Sequence, residues 1–250
     1  MNRCLLCGFL AAFMCSPAAA APHGTLRILA QLADGSVISN NWSGYAVTGR
    51  EGTVTRAAGS WIVPQATCND QHRKNTGASF WVGIDGYSSA TVEQTGTDSD
   101  CSKGYPSYYA WYEFVPRAGV TIKSITVHPG DVMAASVKYE GARFRMTITD
   151  QTTIESFSIS KANPKARRGS AEWIAEDNSY RFTDFGTVAF GQDNTQVPAT
   201  CEATIDGVTD PIGAFPKYHE IKMEAAKSGR VLAAPSALSA DGTSFSVEWH

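Results

Sequence analysis

Beyond its first twenty residues, this 250-residue chain has no apolar run long enough to cross a bilayer. It has no G-x-S-x-G elbow, no Asp-Thr-Gly and no mature cysteine in a protease-like setting, which argues against the common serine, aspartic and cysteine hydrolases. Charge of one sign is scarce as well. The formal net charge is −3 and the basic residues do not gather into a stripe, so nucleic acid is not an expected partner. The short basic stretch Lys161 to Arg168 reads as a solvated loop. Five histidines, at 23, 72, 128, 219 and 250, lack paired ligand spacing, and no two mature cysteines lie at short ligand spacing. No metal or other cofactor is expected. Convincing long amphipathic helices are missing too.

What is present begins with an export signal. Arg3 precedes an apolar run from Leu5 to Met14, and Ser16-Pro17-Ala18-Ala19-Ala20-Ala21 supplies the small residues of a cleavage site. Residues 1–20 are read as a secretory signal peptide, cut after Ala20 because Pro22 disfavours a cut directly before it. The cysteine before Ser16 lacks a lipoprotein lead-in, so the mature chain is expected to be free, extracellular or periplasmic, without a membrane partner. Cys68, Cys101 and Cys201 remain after the leader goes, which permits one disulfide and one odd thiol. Cys68 and Cys101 flank the segment around Gln94 and are the preferred pair; pairings through Cys201 stay open. Residues 21–40 carry no strong pattern and read as a short propeptide, a lead-in or an edge strand.

The dominant period in the remaining chain is two. Phe144, Met146 and Ile148 alternate with Arg143, Arg145, Thr147 and Thr149, the pattern of a half-buried strand. Further strands are expected at 43–49, 53–63, 78–86, 107–116, 120–127, 131–139, 153–160, 171–177, 186–191, 202–207, 217–223 and 243–249. Turn signals such as Pro129-Gly130-Asp131 and Asp241-Gly242 separate them. Many short strands at regular spacing predict an all-β antiparallel sandwich or barrel, and residues 41–250 read as one domain. A monomer is expected.

Alternation also sorts the polar residues. In 107–116 it sets Tyr109, Trp111 and Glu113 on one face, with Tyr108, Ala110, Tyr112 and Phe114 on the other, core-like face. In 81–85 it groups Trp81 with Asp85, and in 172–176 it groups Glu172 with Glu176, opposite Trp173. Tryptophans in an all-β chain mostly serve packing, and alternating carboxylates mostly face solvent. A carboxylate beside a Trp on each of two strands nonetheless suggests the lining of a groove. Asn41-Trp42-Ser43 is formally a glycosylation acceptor.

Six segments carry a more specific signal. Asn41-Trp42-Ser43-Gly44-Tyr45, Trp81-Val82-Gly83-Ile84-Asp85-Gly86, Glu93-Gln94-Thr95-Gly96, Ala110-Trp111-Tyr112-Glu113, Ala171-Glu172-Trp173-Ile174-Ala175-Glu176 and Gly242-Thr243-Ser244-Phe245 occur in this order. In order and spacing they resemble the glutamic peptidases, or eqolisins. The resemblance covers about residues 41–250. It implies a β-sandwich of two antiparallel sheets, lectin-like, with a substrate groove over a concave sheet, and a secreted acid endopeptidase acting on proteins or peptides. By the same resemblance Gln94 and Glu176 stand at the catalytic positions, Glu176 being preferred to Glu172 as the second glutamate of its segment. Trp42, Trp81, Asp85, Tyr109, Trp111 and Glu113 stand at positions that line or support the groove. The chain departs from the family pattern at Tyr109, Val115 and Asn178.

The implied chemistry is self-consistent. Glu176 would take a proton from the attacking water and return it to the leaving amine, while the uncharged Gln94 amide would stabilise the oxyanion. Other readings are a secreted carbohydrate-binding module, a glycoside hydrolase using two of Asp85, Glu113 and Glu176, and an inactive peptidase homologue.

Overall fold

The computed structural model describes residues 23–68, 75–178 and 181–250. The expected signal peptide, residues 1–20, lies outside the described residues. The chain runs through β1 (Ile28–Gln31), β2 (Val37–Ser39), β3 (Trp42–Thr48), β4 (Val54–Ile62), β5 (Ser79–Ile84) and β6 (Glu93–Ser102). Next come β7 (Tyr105–Phe114), β8 (Val120–Ile122), β9 (Val132–Tyr139), β10 (Phe144–Asp150), β11 (Ser156–Lys161) and β12 (Ser170–Glu176). After β13 (Thr187–Gly191), one helical turn, α1 (Gln192–Thr195), leads to β14 (Glu202–Ile205) and β15 (Val208–Pro211). The last strands are β16 (Tyr218–Glu224), β17 (Val231–Pro235) and β18 (Ser244–Trp249).

The pairings build two layers. The first has the order β8-β7-β6-β5-β12-β3-β16, every neighbour antiparallel. At its far side β2 runs parallel to β16, and β1 pairs with β2. The second runs β11-β10-β9-β4, after which β4 meets β14 along one stretch and β13 along another. From β13 it continues through β18 to β17, and β17 pairs with β16, which joins the layers along one side. This is the expected all-β sandwich.

The core lies between the layers, and alternation explains who enters it. Phe144, Met146 and Ile148 are buried while Arg145 is exposed. Tyr108, Ala110, Tyr112 and Phe114 face inward with Trp173 and Phe80. Trp173 crosses the interlayer space and donates from Nε1 to the Ala58 carbonyl at 2.7 Å. Gly59 makes the crossing possible, since a Cβ there would stand 2.9 Å from the Trp173 ring. Trp61 crosses in the other direction, donating to Thr97 Oγ1 at 2.9 Å.

Cys68 and Cys101 form the preferred disulfide, and Cys201 is a buried free thiol whose pKa burial pushes up. One expectation needs correction: β8 stops at Ile122, short of the expected 127. The Lys161–Arg168 stretch is a partly exposed loop, as expected, and its backbone and Asn163 are also tied to buried carboxylates. Asp85 accepts the backbone N–H groups of Arg167, Arg168 and Gly169, and Asn163 Nδ2 donates to Glu93 at 2.6 Å. The Asn41 amide is also occupied. It is buried, accepts from Arg27 N and donates to the Thr25 carbonyl, so the glycosylation acceptor is closed in the folded chain.

Candidate active site

Four adjacent strands carry the site on the face of the first layer that points away from the core. β12 contributes Glu172, Ile174 and Glu176, β5 contributes Ser79, Trp81 and Gly83, β6 contributes Gln94, Gly96 and Asp98, and β7 contributes Tyr109, Trp111 and Glu113. Trp42, Trp81, Trp111 and Ile174 form a second apolar cluster here, separate from the core. Trp81 lies flat on the strands because two of its neighbours are glycines. A Cβ at Gly96 would stand 2.6 Å from Trp81 Cβ, and one at Gly83 would stand 2.9 Å from its ring. Trp42 meets the Trp81 ring edge-on, at 4.9 Å between centroids.

So placed, the Trp81 indole connects the two predicted catalytic positions. Its Nε1 donates to Glu176 Oε2 at 2.9 Å, and the other end of its ring lies over Gly83, whose pseudo-Cβ is 3.2 Å from Gln94 Cβ. Gln94 donates from Nε2 to Glu113 Oε2 at 2.8 Å, while its Oε1 has no hydrogen-bond partner. A carboxylate oxygen can only accept from that amide, which fixes the amide orientation. No direct hydrogen bond joins Gln94 to Glu176. Register sets Gln94 opposite Gly83 and hence in the row of Glu172, whereas Glu176 is opposite Ser79.

The expected groove is not open. The stretch from His23 to Arg27 lies in it, and it is the largest part of the site that sequence reasoning did not find. Gly24 N donates to Glu176 Oε1 at 2.9 Å. The His23 ring stacks on Trp111 at 3.6 Å between centroids, with Nε2 2.8 Å from Ser79 Oγ and Nδ1 3.3 Å from Glu113 Oε2. Leu26 packs against the tryptophan cluster and donates its N–H to the Gly86 carbonyl. Gln94 and Glu176 are consequently 0% and 2% exposed. Among the described residues, no group of three or more His, Cys, Asp or Glu side chains could hold a metal ion.

The peptidase A4 family model matches residues 40–229 of the sequence. The chain belongs to this family. That membership makes it a glutamic endopeptidase by class, and the solved relatives agree with the fold. Aspergilloglutamic peptidase from Aspergillus niger is 30% identical over 70% of this chain and 99% of its own, with a TM-score of 0.56. Scytalido-glutamic peptidase, solved with a transition state analog inhibitor, is 24% identical over 84% of this chain and 98% of its own, at a TM-score of 0.69. SCP-B, an eqolisin solved in a complex with the tripeptide Ala-Ile-His, is 25% identical over the same shares, at a TM-score of 0.64. No functionally curated protein matches the sequence significantly.

In this peptidase the predicted groove residues divide into groups with different contacts. Glu113 touches Gln94; Asp85, by contrast, holds the 167–169 loop. Two of the departures from the family pattern converge on one carboxylate: Tyr109 OH and Asn178 Nδ2 donate to Asp98 Oδ2 at 2.7 and 2.8 Å. Trp111 Nε1 and Ser79 Oγ donate to Asp98 Oδ1 at 2.6 Å each. Val115, the third departure, borders the tryptophan cluster. Asp98 and Ser79 escaped sequence reading, although period two counted from Gln94 reaches Asp98.

Burial dominates the electrostatics of the peptidase. It pushes Glu176 up to about 7, against the pull of the His23 charge, the Gly24 N–H and a weak interaction with Trp42 Nε1, which forms no hydrogen bond of ordinary length. Burial would lower His23, but Asp98, Glu113 and Glu176 outweigh it and hold the imidazole at about 10. Burial also lifts Glu93 to about 9 and Glu172 well above 4.5, and with Asp98 beside it lifts Asp100. Neither Glu172 oxygen has a hydrogen-bond partner of good geometry, so burial is left as the largest influence on this carboxyl.

These shifts all have one sign, so they predict how stability varies with pH. Each group binds its proton more tightly folded than unfolded, so its contribution is complete below the unfolded pKa and is lost as pH rises through the folded one. For Glu93, Glu172, Glu176 and Asp100 the loss begins near pH 4, and for Glu93 it runs through about 9; for His23 it begins near 6.5 and runs through about 10. Urea unfolding should therefore give a higher midpoint at pH 4 than at pH 8, by at least about 2 kcal/mol of unfolding free energy. A midpoint that rose toward pH 8 would contradict the assignment of protonated, buried carboxyls.

Proposed function

We propose that the chain is a secreted endopeptidase of the acid range in which Glu176 is general base and then general acid and Gln94 stabilises the oxyanion. One observation carries this reading: a backbone amide, Gly24 N–H, is seated on Glu176 Oε1 in a groove lined by tryptophans. A peptide bond presented in that way has its nitrogen within proton-transfer distance of the carboxyl. Glu113 accepts one hydrogen of the Gln94 amide, which leaves the second free to meet an oxyanion. The Cys68–Cys101 disulfide, and the absence among the described residues of any helix long and apolar enough to cross a membrane, support an exported chain.

Hydrolysis then proceeds without a covalent intermediate. Ionised Glu176 takes a proton from water as its oxygen adds to the carbonyl carbon. Gln94 donates to the oxygen that becomes negative. The protonated Glu176 passes its proton to the departing nitrogen, and the C–N bond breaks. Glu176 can act as base only when ionised. Its position near 7 belongs to the filled groove, where burial is the largest cause. Entry of water when the His23–Arg27 stretch leaves removes that cause, and the carboxyl ionises at lower pH.

The test is digestion of a denatured protein between pH 2 and pH 8, with kcat/KM followed on one of the peptides cut. The expected profile has an acid limb below about pH 7, which reports Glu176 in the free enzyme. Chelators and reagents for serine and cysteine should leave the rate unchanged. An acid limb centred above pH 7, or inhibition by a serine reagent, would overturn the assignment.

A further inference from the structure

The outer face of the second layer lies on the side of the molecule opposite the tryptophan groove. There β11, β10, β9 and β4 run side by side. Register sets Arg145 between Ser160 and Lys138, and Lys138 opposite Arg56. The Arg143 guanidinium donates to Ser160 on β11 and so extends the line by one strand. Four cations thus form a transverse belt over four strands spaced about 4.8 Å apart. Like charges set opposite one another across strands destabilise a sheet, so packing alone gives no reason for the belt. Two carboxylates answer it: Glu140 is 3.1 Å from Arg145 and 3.8 Å from Lys138, and Glu202 is 3.5 Å from Arg56. A local excess of positive charge remains, on a chain whose formal net charge is −3. Lys138 and Arg145 are 58% and 52% exposed, so their charged ends are within reach of a ligand.

The neighbouring transverse row is made of hydroxyls. Thr147 stands between Ser158 and Ser136, and Thr149 with Ser156 follows one row further on. Ser136, Thr147 and Thr149 line an open depression of about 230 Å³, together with Arg56 from the belt and the 197–200 stretch. Cations and hydroxyls therefore share one surface feature.

A ligand that matches both rows has anionic groups repeating along a line and hydroxyls beside them. Guanidinium and ammonium groups hold carboxylates through charge-assisted bonds. Serine and threonine both donate and accept, which is what a sugar hydroxyl requires of its partner. An acidic peptide would use the belt and leave the hydroxyl row idle, and a neutral glucan would do the reverse. Neither row carries an aromatic side chain, so the stacking that holds single-stranded nucleic acid is not on offer. We infer that this belt and the depression beside it bind a linear polyuronate, a polysaccharide with one carboxylate on each sugar ring. The groove faces the other way, so the bound protein still presents it to a peptide. The inference does not depend on the roles given to Gln94 and Glu176.

The test is calorimetry of the full chain at about pH 6 and low salt, with polygalacturonate, amylose and polyglutamate as probes. Polygalacturonate is expected to bind, amylose to show no binding, and polyglutamate to bind at least about 10-fold more weakly per anionic residue. Raising the salt to about 0.3 M should weaken the polygalacturonate complex about 10-fold or more, since the belt is exposed to solvent. The double variant Lys138→Gln/Arg145→Gln should lose at least about 10-fold in affinity, and Thr147→Val about 3-fold for polygalacturonate alone. Hydrolysis of a peptide by the double variant should stay within about 2-fold of wild type, because neither side chain reaches the groove. Should the double variant not fold, Arg145→Gln alone replaces it, with a loss of about 3-fold expected. Failure of polygalacturonate to bind, equal affinity in the belt variant and wild type, or equal binding of amylose would overturn the inference. Polyglutamate binding as tightly as polygalacturonate would overturn it too, by showing a site for any polyanion.

Discussion

Glu176→Gln is expected to lower kcat/KM by about 10³–10⁴-fold, the range in which one group serves as both base and acid. Glutamine keeps the size and one acceptor, so it can satisfy either Trp81 Nε1 or Gly24 N but not both. A cost in stability of about 1–2 kcal/mol follows from the donor left over. The decisive comparison is Glu172→Gln. Glu172 shares its strand face with Glu176, but burial favours its neutral form and it has no hydrogen bond to His23 or Gly24. Glutamine mimics a protonated carboxyl, so this change should alter kcat/KM by less than about 3-fold. Steady-state rates on one peptide, with circular dichroism to establish folding, check both. Comparable losses in the two variants would mean that the row shared by Gln94 and Glu172, not Glu176, is the reacting one.

Gln94→Ala should reduce kcat by about 10²–10³-fold with little change in KM, since the lost donor acts on the oxyanion and not on the ground state. Truncation also strips Glu113 of the amide hydrogen that it accepts at 2.8 Å. Glu113 then has only the His23 imidazole beside it, so the variant should be less stable as well. A fall in kcat without a shift of the acid limb is the signature of an oxyanion donor. If the limb moved with the mutation, Gln94 would be tuning the carboxyl instead, and the division of roles would have to change.

How far the sequence alone carried this reading depended on how strongly each segment declares its period. β10 and β7 were legible because large apolar residues alternate with polar ones. The catalytic positions were legible through a family likeness and not through physics, since neither Gln94 nor Glu176 differs in composition from an ordinary strand residue. β6 had no range among the expected strands although it carries Gln94. Its run Glu93 to Asp100 is polar and glycine-bearing, a composition that disfavours strands in general. It is a strand here because β5 and β7 satisfy its backbone on both edges, and its side chains find polar partners across the groove. β1, β2, β15 and β17 are three to five residues long and declare themselves only through pairing. The His23 contact had no local signal at all, because it joins residues 56 and 75 positions apart.

The parallel pairing of β2 with β16 has a consequence for dosage. It anchors the chain at Val37–Ser39, so the stretch that fills the groove is a tethered competitor whose concentration at the site does not depend on how much protein is present. The tether is not free chain: β1 pairs with β2, Asn40 N donates to the Arg27 carbonyl, and Asn41 holds Arg27 N and the Thr25 carbonyl. Dilution alone cannot empty the groove, and a peptide must displace that held stretch before it is cut. Two copies at any ordinary concentration would therefore be poor substrates for one another.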